Sequence, residues 1–129
     1  MQLNNRGQSL VMFILIIPIL LGIMAMVMDI GNVIYNKQDI DNINKIVISY
    51  GLTNMDDVNI VREMENLALL NNSDMHFAVE INQGQIIVDS TYYVKGVFSK
   101  IFATDGYLVR SKYSGYLTDK GKEKIVKIK

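Results

Sequence analysis

The chain has 129 residues and a mass of 14.6 kDa, room for one small domain and an anchor, because globular domains usually need roughly 100 to 150 residues. Thirteen Lys and Arg balance thirteen Asp and Glu, so the chain lacks the basic excess of a nucleic-acid binder. Having no cysteine excludes disulfides, thiolate metal sites and a cysteine nucleophile, and with a single histidine no metal or other cofactor is expected.

In chain order, residues 1–9 form a short polar leader with Arg6 as its only charge. Residues 10–28, LVMFILIIPILLGIMAMVM, hold no charge. As a helix they would extend about 28 Å, one bilayer core. In lipid the backbone must satisfy its own hydrogen bonds, so a single pass has to be helical, with a kink expected at Pro18. A chain this small could not enclose a helix that is apolar on every side. A cleaved secretory signal fits less well, because its apolar core spans about 7 to 15 residues and ends in small residues, which MAMVMDIG does not supply. An uncleaved transmembrane anchor is the favoured reading. Arg6 before the run and Asp29 after it put the N-terminus in the cytoplasm and the rest outside, by the positive-inside rule.

The helical period continues through residues 29–52. Val33, Lys37, Ile40, Ile43, Val47 and Tyr50 recur at steps of three and four, with Asn32, Asn36, Asp39, Asp41 and Asn44 on the other side. Gly51 is the expected C-terminal cap. The apolar stripe Val33, Ile40, Ile43 and Val47 serves either as the seat of the chain's own sheet or as an interface with another subunit. Residues 53–119 should form a small α+β extracytoplasmic domain. A second helix is capped at Asn54 or Asp56 and packs through Val58, Val61, Met64, Leu67 and Ala68. HFAVEI and QIIVDSTYYV make a hairpin across NQGQ. GVFSKIFA, with Val97, Phe98, Ile101 and Phe102, is a short helix ended by Asp105-Gly106, and YLVRSKYSGYL is a last strand. Residues 120–129 carry five lysines against Glu123 and are expected to be a solvated, frayed basic tail, with an anionic-partner site as the alternative. The fold class is α+β: a long N-terminal transmembrane and amphipathic helix packed on a small antiparallel sheet.

Catalytic residues are not in evident supply. His76 sits on a strand beside polar alternates, and the carboxylates Asp56/Asp57 and Glu63/Glu65 suit a helix start and a solvated helix face. Gly84 and Gly106 are isolated turn glycines, not a phosphate cradle. Of seven tyrosines, Tyr92, Tyr93, Tyr107, Tyr113 and Tyr116 fall in the sheet, where packing explains them and an adhesive or subunit-contacting face is the alternative. No enzyme is expected.

Arg6-Gly7-Gln8-Ser9, Phe13, Pro18, Asp29-Ile30-Gly31 and Tyr35 resemble the pattern of TadE/TadG-like pseudopilins of tight-adherence (Tad) pilus systems. These have a basic residue and Gly, an aromatic, a membrane helix with a central proline, then an acid, one residue, Gly and a downstream Tyr. The resemblance implies a pilin-like layout, with a prepilin-type peptidase cutting between Gly7 and Gln8. It also implies other pseudopilin or pilus-assembly subunits as partners, beside the bilayer. The family's glutamate would fall at Met12, which cannot pair with a neighbour's N-terminal amine. A carboxylate in lipid costs about 2.5 to 3.5 kcal/mol on insertion scales and needs such a partner, whereas methionine does not. The resemblance then implies a TadG-like member or a minor pseudopilin, in assembly or adhesion of a Tad-type pilus or related secretion system, rather than the polymerising pilin. The alternative from a different class is a solitary anchored binding or sensor domain.

Overall fold

The computed structural model describes residues 5–101 and 106–128; the expectations for Phe102 and Asp105 lie outside them. The first element, α1 (Asn5–Thr53), is one uninterrupted helix of 49 residues, about 73 Å long at 1.5 Å per residue. Pro18 sits inside it. From Leu10 to Met28 its large side chains are exposed on every side, the surface a lipid-embedded helix would present. Beyond Asp29 the same helix becomes one-sided, burying Ile40, Ile43, Val47, Ile48 and Leu52.

Against that face lie α2 (Ile60–Asn71), β1 (His76–Asn82), β2 (Gln85–Val94), α3 (Val97–Ile101), β3 (Tyr107–Leu117) and β4 (Glu123–Lys127). The strands form a four-stranded antiparallel meander in the order β1-β2-β3-β4. Asn82 pairs with Gln85 across Gln83 and Gly84, whose φ angles are 51° and 79°. Two positive φ values make this the turn whose twist matches the flanking strands. Ile86, Val88, Val94, Val109 and Tyr113 face the helices, closing one core with Ile60, Met64, Ala68 and Met75. β3 climbs along α1 away from the apolar run: Tyr107 meets Asp29, Arg110 meets Lys37, Ser111 meets Asn44, and Gly115 lies under Ile48.

Several expectations are corrected. Gly51 does not cap α1, which runs on to Thr53; a Cβ there would sit 2.6 Å from the Met64 sulfur and 2.8 Å from Ile86 Cδ1, so glycine serves close packing. α2 starts later than expected and without a side-chain cap, Asp57 instead accepting the Asn59 N–H at 2.9 Å. Its inward face is Ile60, Met64 and Ala68, with Leu67 partly buried, while Val58 is 97% exposed and Val61 points outward. Asn44, placed with the polar side, is fully buried and bonded to Ser90 and Ser111. The stripe offered as an interface is covered by the chain's own head: Ile40, Ile43 and Val47 are core residues and Val33 packs at its margin. The tail is not frayed. Gly121, at φ 75°, turns it back, and Glu123–Lys127 pair with β3 as an edge strand, with Ile125 packed on the core, Lys124 exposed and Lys127 at 4.0 Å from Asp41 of α1.

Candidate functional site

A buried carboxylate stands where the apolar run ends. Asp29 is 3% exposed. Its Oδ1 accepts the Val97 N–H at 2.7 Å, and its Oδ2 accepts the Phe98 N–H at 2.8 Å and the Tyr107 hydroxyl at 3.1 Å. The carboxylate therefore caps the first turn of α3, where free N–H groups and the helix dipole favour an anion. Gly96 makes the approach possible, since a Cβ there would lie 2.3 to 2.4 Å from the Asp29 carboxylate atoms. Ser99 closes the same turn, its Oγ accepting the Gly96 N–H and donating to the Gly96 carbonyl, both at 2.9 Å. Burial and the bond to Asp29 push the Tyr107 phenol above its ordinary pKa.

A second polar cluster lies higher up, between α1 and the sheet. Asn44 Nδ2 donates to Ser111 Oγ at 2.9 Å and to its carbonyl at 3.2 Å, and Asn44 Oδ1 accepts from Ser90. Ser111 in turn donates to Asp41, which has Lys37 at 3.4 Å. Lys37 also donates to the Arg110 carbonyl. Among the described residues no buried side-chain polar atom lacks a partner, as a fully satisfied network requires. Burial, with Asp41 nearby, pushes the Tyr113 hydroxyl up.

The other expected site residues do not converge on Asp29. Gly7, Gln8, Met12 and Phe13 lie exposed on α1, with Gly7 about 33 Å along the helix from Asp29. Gly7 and Gly31 would each accept a Cβ without meeting a neighbour. Pro18 is exposed within the apolar run, and Tyr35 is 70% exposed. Tyr35 lines an open groove between α1 and the sheet together with Asn36, His76, Tyr92, Tyr93 and Lys95. The sheet tyrosines do not share one face: Tyr113 is buried, Tyr93 is exposed and Tyr107 points to Asp29. Sequence reasoning missed Tyr107 as a partner of Asp29, Gly96 as the close approach beside it, and Ser99 as the closure of the same turn. The available signal was a glycine set just before a short helix, seventy residues from the acid in roughly linear count.

An apolar helix of membrane length continuing into an α+β head defines the class, a protein anchored through one N-terminal span. Residues 7–43 match the family model described as TadE-like protein. The N-terminal part of the chain is therefore TadE-like, as its motif residues implied, and the match ends inside α1, before α2 and the sheet. The matched family is a pilus-associated structural one and not a family of enzymes, and the match covers 37 of the chain's 129 residues. No match was found among curated proteins or among solved structures.

Proposed function

We propose that the protein is a non-enzymatic minor pseudopilin, held by residues 10–28 with its N-terminus in the cytoplasm and its head outside, which takes part in assembly or adhesion of a Tad-type pilus or related secretion system. The observation that carries this is the TadE-like stretch 7–43 lying on one continuous helix, membrane-length at its start and bound to a folded head at its end. Met12 in the place of the family's acid supports an accessory role: an exposed methionine suits lipid and offers no charge to a neighbouring subunit. Gly7 and Gln8 are exposed and unobstructed, as a peptidase would need. Intact-mass analysis of the native protein tests the proposal. A mass beginning at Gln8 is expected, and a chain beginning beyond Asp29 would refute it.

The groove lined by Tyr35, His76, Tyr92, Tyr93 and Lys95 favours a second reading, an anchored binding or sensor domain. A full-length mass and a gene neighbourhood without a secretion ATPase would select it.

A further inference from the structure

We infer that α3 is a second membrane contact, a short helix lying in the lipid headgroup region beside α1 and setting how the head sits on the bilayer. The inference rests on the reading of residues 10–28 as a bilayer span. Three independent observations carry it.

The first is depth. Asp29 is the first charged residue after the apolar run, and its carboxylate holds the Val97 and Phe98 amides at 2.7 and 2.8 Å. α3 therefore begins at the level where the span ends. The second is direction. Ala25, one turn before Asp29 on the same face, is the only buried residue of the span, at 8% exposure. Polypeptide must therefore lie against α1 below Asp29. β3 climbs the other way, from Tyr107 at Asp29 to Gly115 at Ile48. The element at the lower end of the head is α3, which packs on α1.

The third is chemistry. α3 turns aliphatic side chains outward, with Val97 49% and Ile101 67% exposed. Beside them the cross-strand pair Tyr93 and Leu108 is exposed at 53% and 56%. Lys95 and Lys100 flank this patch and are exposed. Aliphatic side chains rimmed by tyrosine and lysine match an interfacial layer, where the apolar atoms reach the acyl chains, tyrosine sits at the headgroups and lysine meets anionic phosphates. α3 starts where the span ends and packs on α1, so a bilayer that takes the span comes level with this patch. A lone span can tilt and shift in depth; with α3 seated on the lipid, the tilt and depth of the head are restricted.

The chain has no tryptophan, so one introduced indole reports its own surroundings. Ile101→Trp, at an exposed position, is reconstituted as the full chain in phosphatidylcholine–phosphatidylglycerol vesicles whose acyl chains carry bromine near the headgroup. Emission should shift to the blue and lose intensity relative to the same vesicles without bromine. Val58→Trp, at the far end of the head, should emit as in water and remain unquenched. Leu15→Trp, inside the span, should be quenched by bromine placed deeper in the chains. If Leu15→Trp is quenched while Ile101→Trp emits as in water, α3 does not touch lipid and the inference falls. A blue-shifted but unquenched Ile101→Trp would mean that protein covers the patch, and overturns it equally. An unquenched Leu15→Trp removes the bilayer span itself, a failure distinguishable from the other two.

Discussion

Replacing Asp29 with alanine removes the acceptor of two backbone N–H groups and one phenol. Hydrogen bonds to a charged group contribute about 1.5 to 3 kcal/mol each, and a buried donor left without a partner costs about 1 to 3 kcal/mol. Val97 is half exposed, so water can reach its amide once the first turn of α3 loosens. Counting that rescue, the loss should be about 2 to 4 kcal/mol, a large part of the 5 to 15 kcal/mol typical of a small domain. For a head of this size the midpoint of thermal unfolding should fall by about 10 to 20 °C. The assay is near-ultraviolet circular dichroism of the tyrosines, on the full chain in nanodiscs, paired with amide hydrogen exchange. Val97 and Phe98 should exchange about 30- to 1000-fold faster, at tenfold for each 1.4 kcal/mol. The pairs between β2 and β3 away from α3, such as Val88 with Tyr113, should change less, because α3 opens before the sheet does. Asp29→Asn keeps one acceptor oxygen but turns an NH2 toward a donor, so it should recover only part of the loss. Unchanged exchange at Val97 and Phe98 in Asp29→Ala, with an unchanged midpoint, would refute the capping role.

Gly115→Ala should destabilise the head by about 1 to 3 kcal/mol, because its Cβ would fall 2.1 Å from Ile48 Cγ2; chemical denaturation should show part of this returned by Ile48→Ala, and additive effects would disprove the contact. Gly51→Ala should cost less, since the obstacles are the flexible ends of Met64 and Ile86 and alanine gains about 1 kcal/mol of helix propensity over glycine. Ile43→Asp puts an unpaired charge at a core site 4% exposed and should unfold the head, seen as loss of the tyrosine dichroism; a folded variant that only loses partners would return the stripe to the role of an interface. The Arg110 guanidinium, bonding Asp89 at 2.6 and 3.1 Å, holds that carboxyl below the usual carboxylate range against the opposing effect of burial. A depressed carboxyl stabilises the fold above its unfolded pKa of about 3.9 and loses that contribution as pH falls through the folded value. Arg110→Gln should therefore flatten the acid side of the stability profile, by less than about 1 kcal/mol for so exposed a pair, measured by urea unfolding across pH.

What was legible in the sequence follows from periodicity. The membrane-length run, the outer stripe Ile40, Ile43 and Val47, the hairpin around Gly84 and the strand Tyr107–Leu117 all rest on spacing that one segment carries alone. Where a residue's role is set by a distant segment, spacing says nothing. Gly51 looked like a cap because caps are local, yet its size answers to Met64 and Ile86. Asn44 looked solvated because asparagine usually is, yet Ser90 and Ser111 meet it across the core. β4 was hidden by its lysines, of which Lys124 points outward while Ile125 turns in and Lys127 reaches Asp41; charges on an edge strand discourage pairing with a further chain.

The same distinction separates the two acidic positions of the N-terminal pattern. An acid inside the span would need a cation from another subunit, and Met12 has nothing to offer one. Asp29, the acid that is present, is fully taken up by Val97, Phe98 and Tyr107 of its own chain. Neither position presents a free charge, so the proposed contacts of the span with other subunits would draw on side-chain packing. The same helix that carries the span packs through Ile40, Ile43, Val47 and Ile48 into the head, and the bond network at Asp29 ties α3 and β3 to it where the apolar run ends.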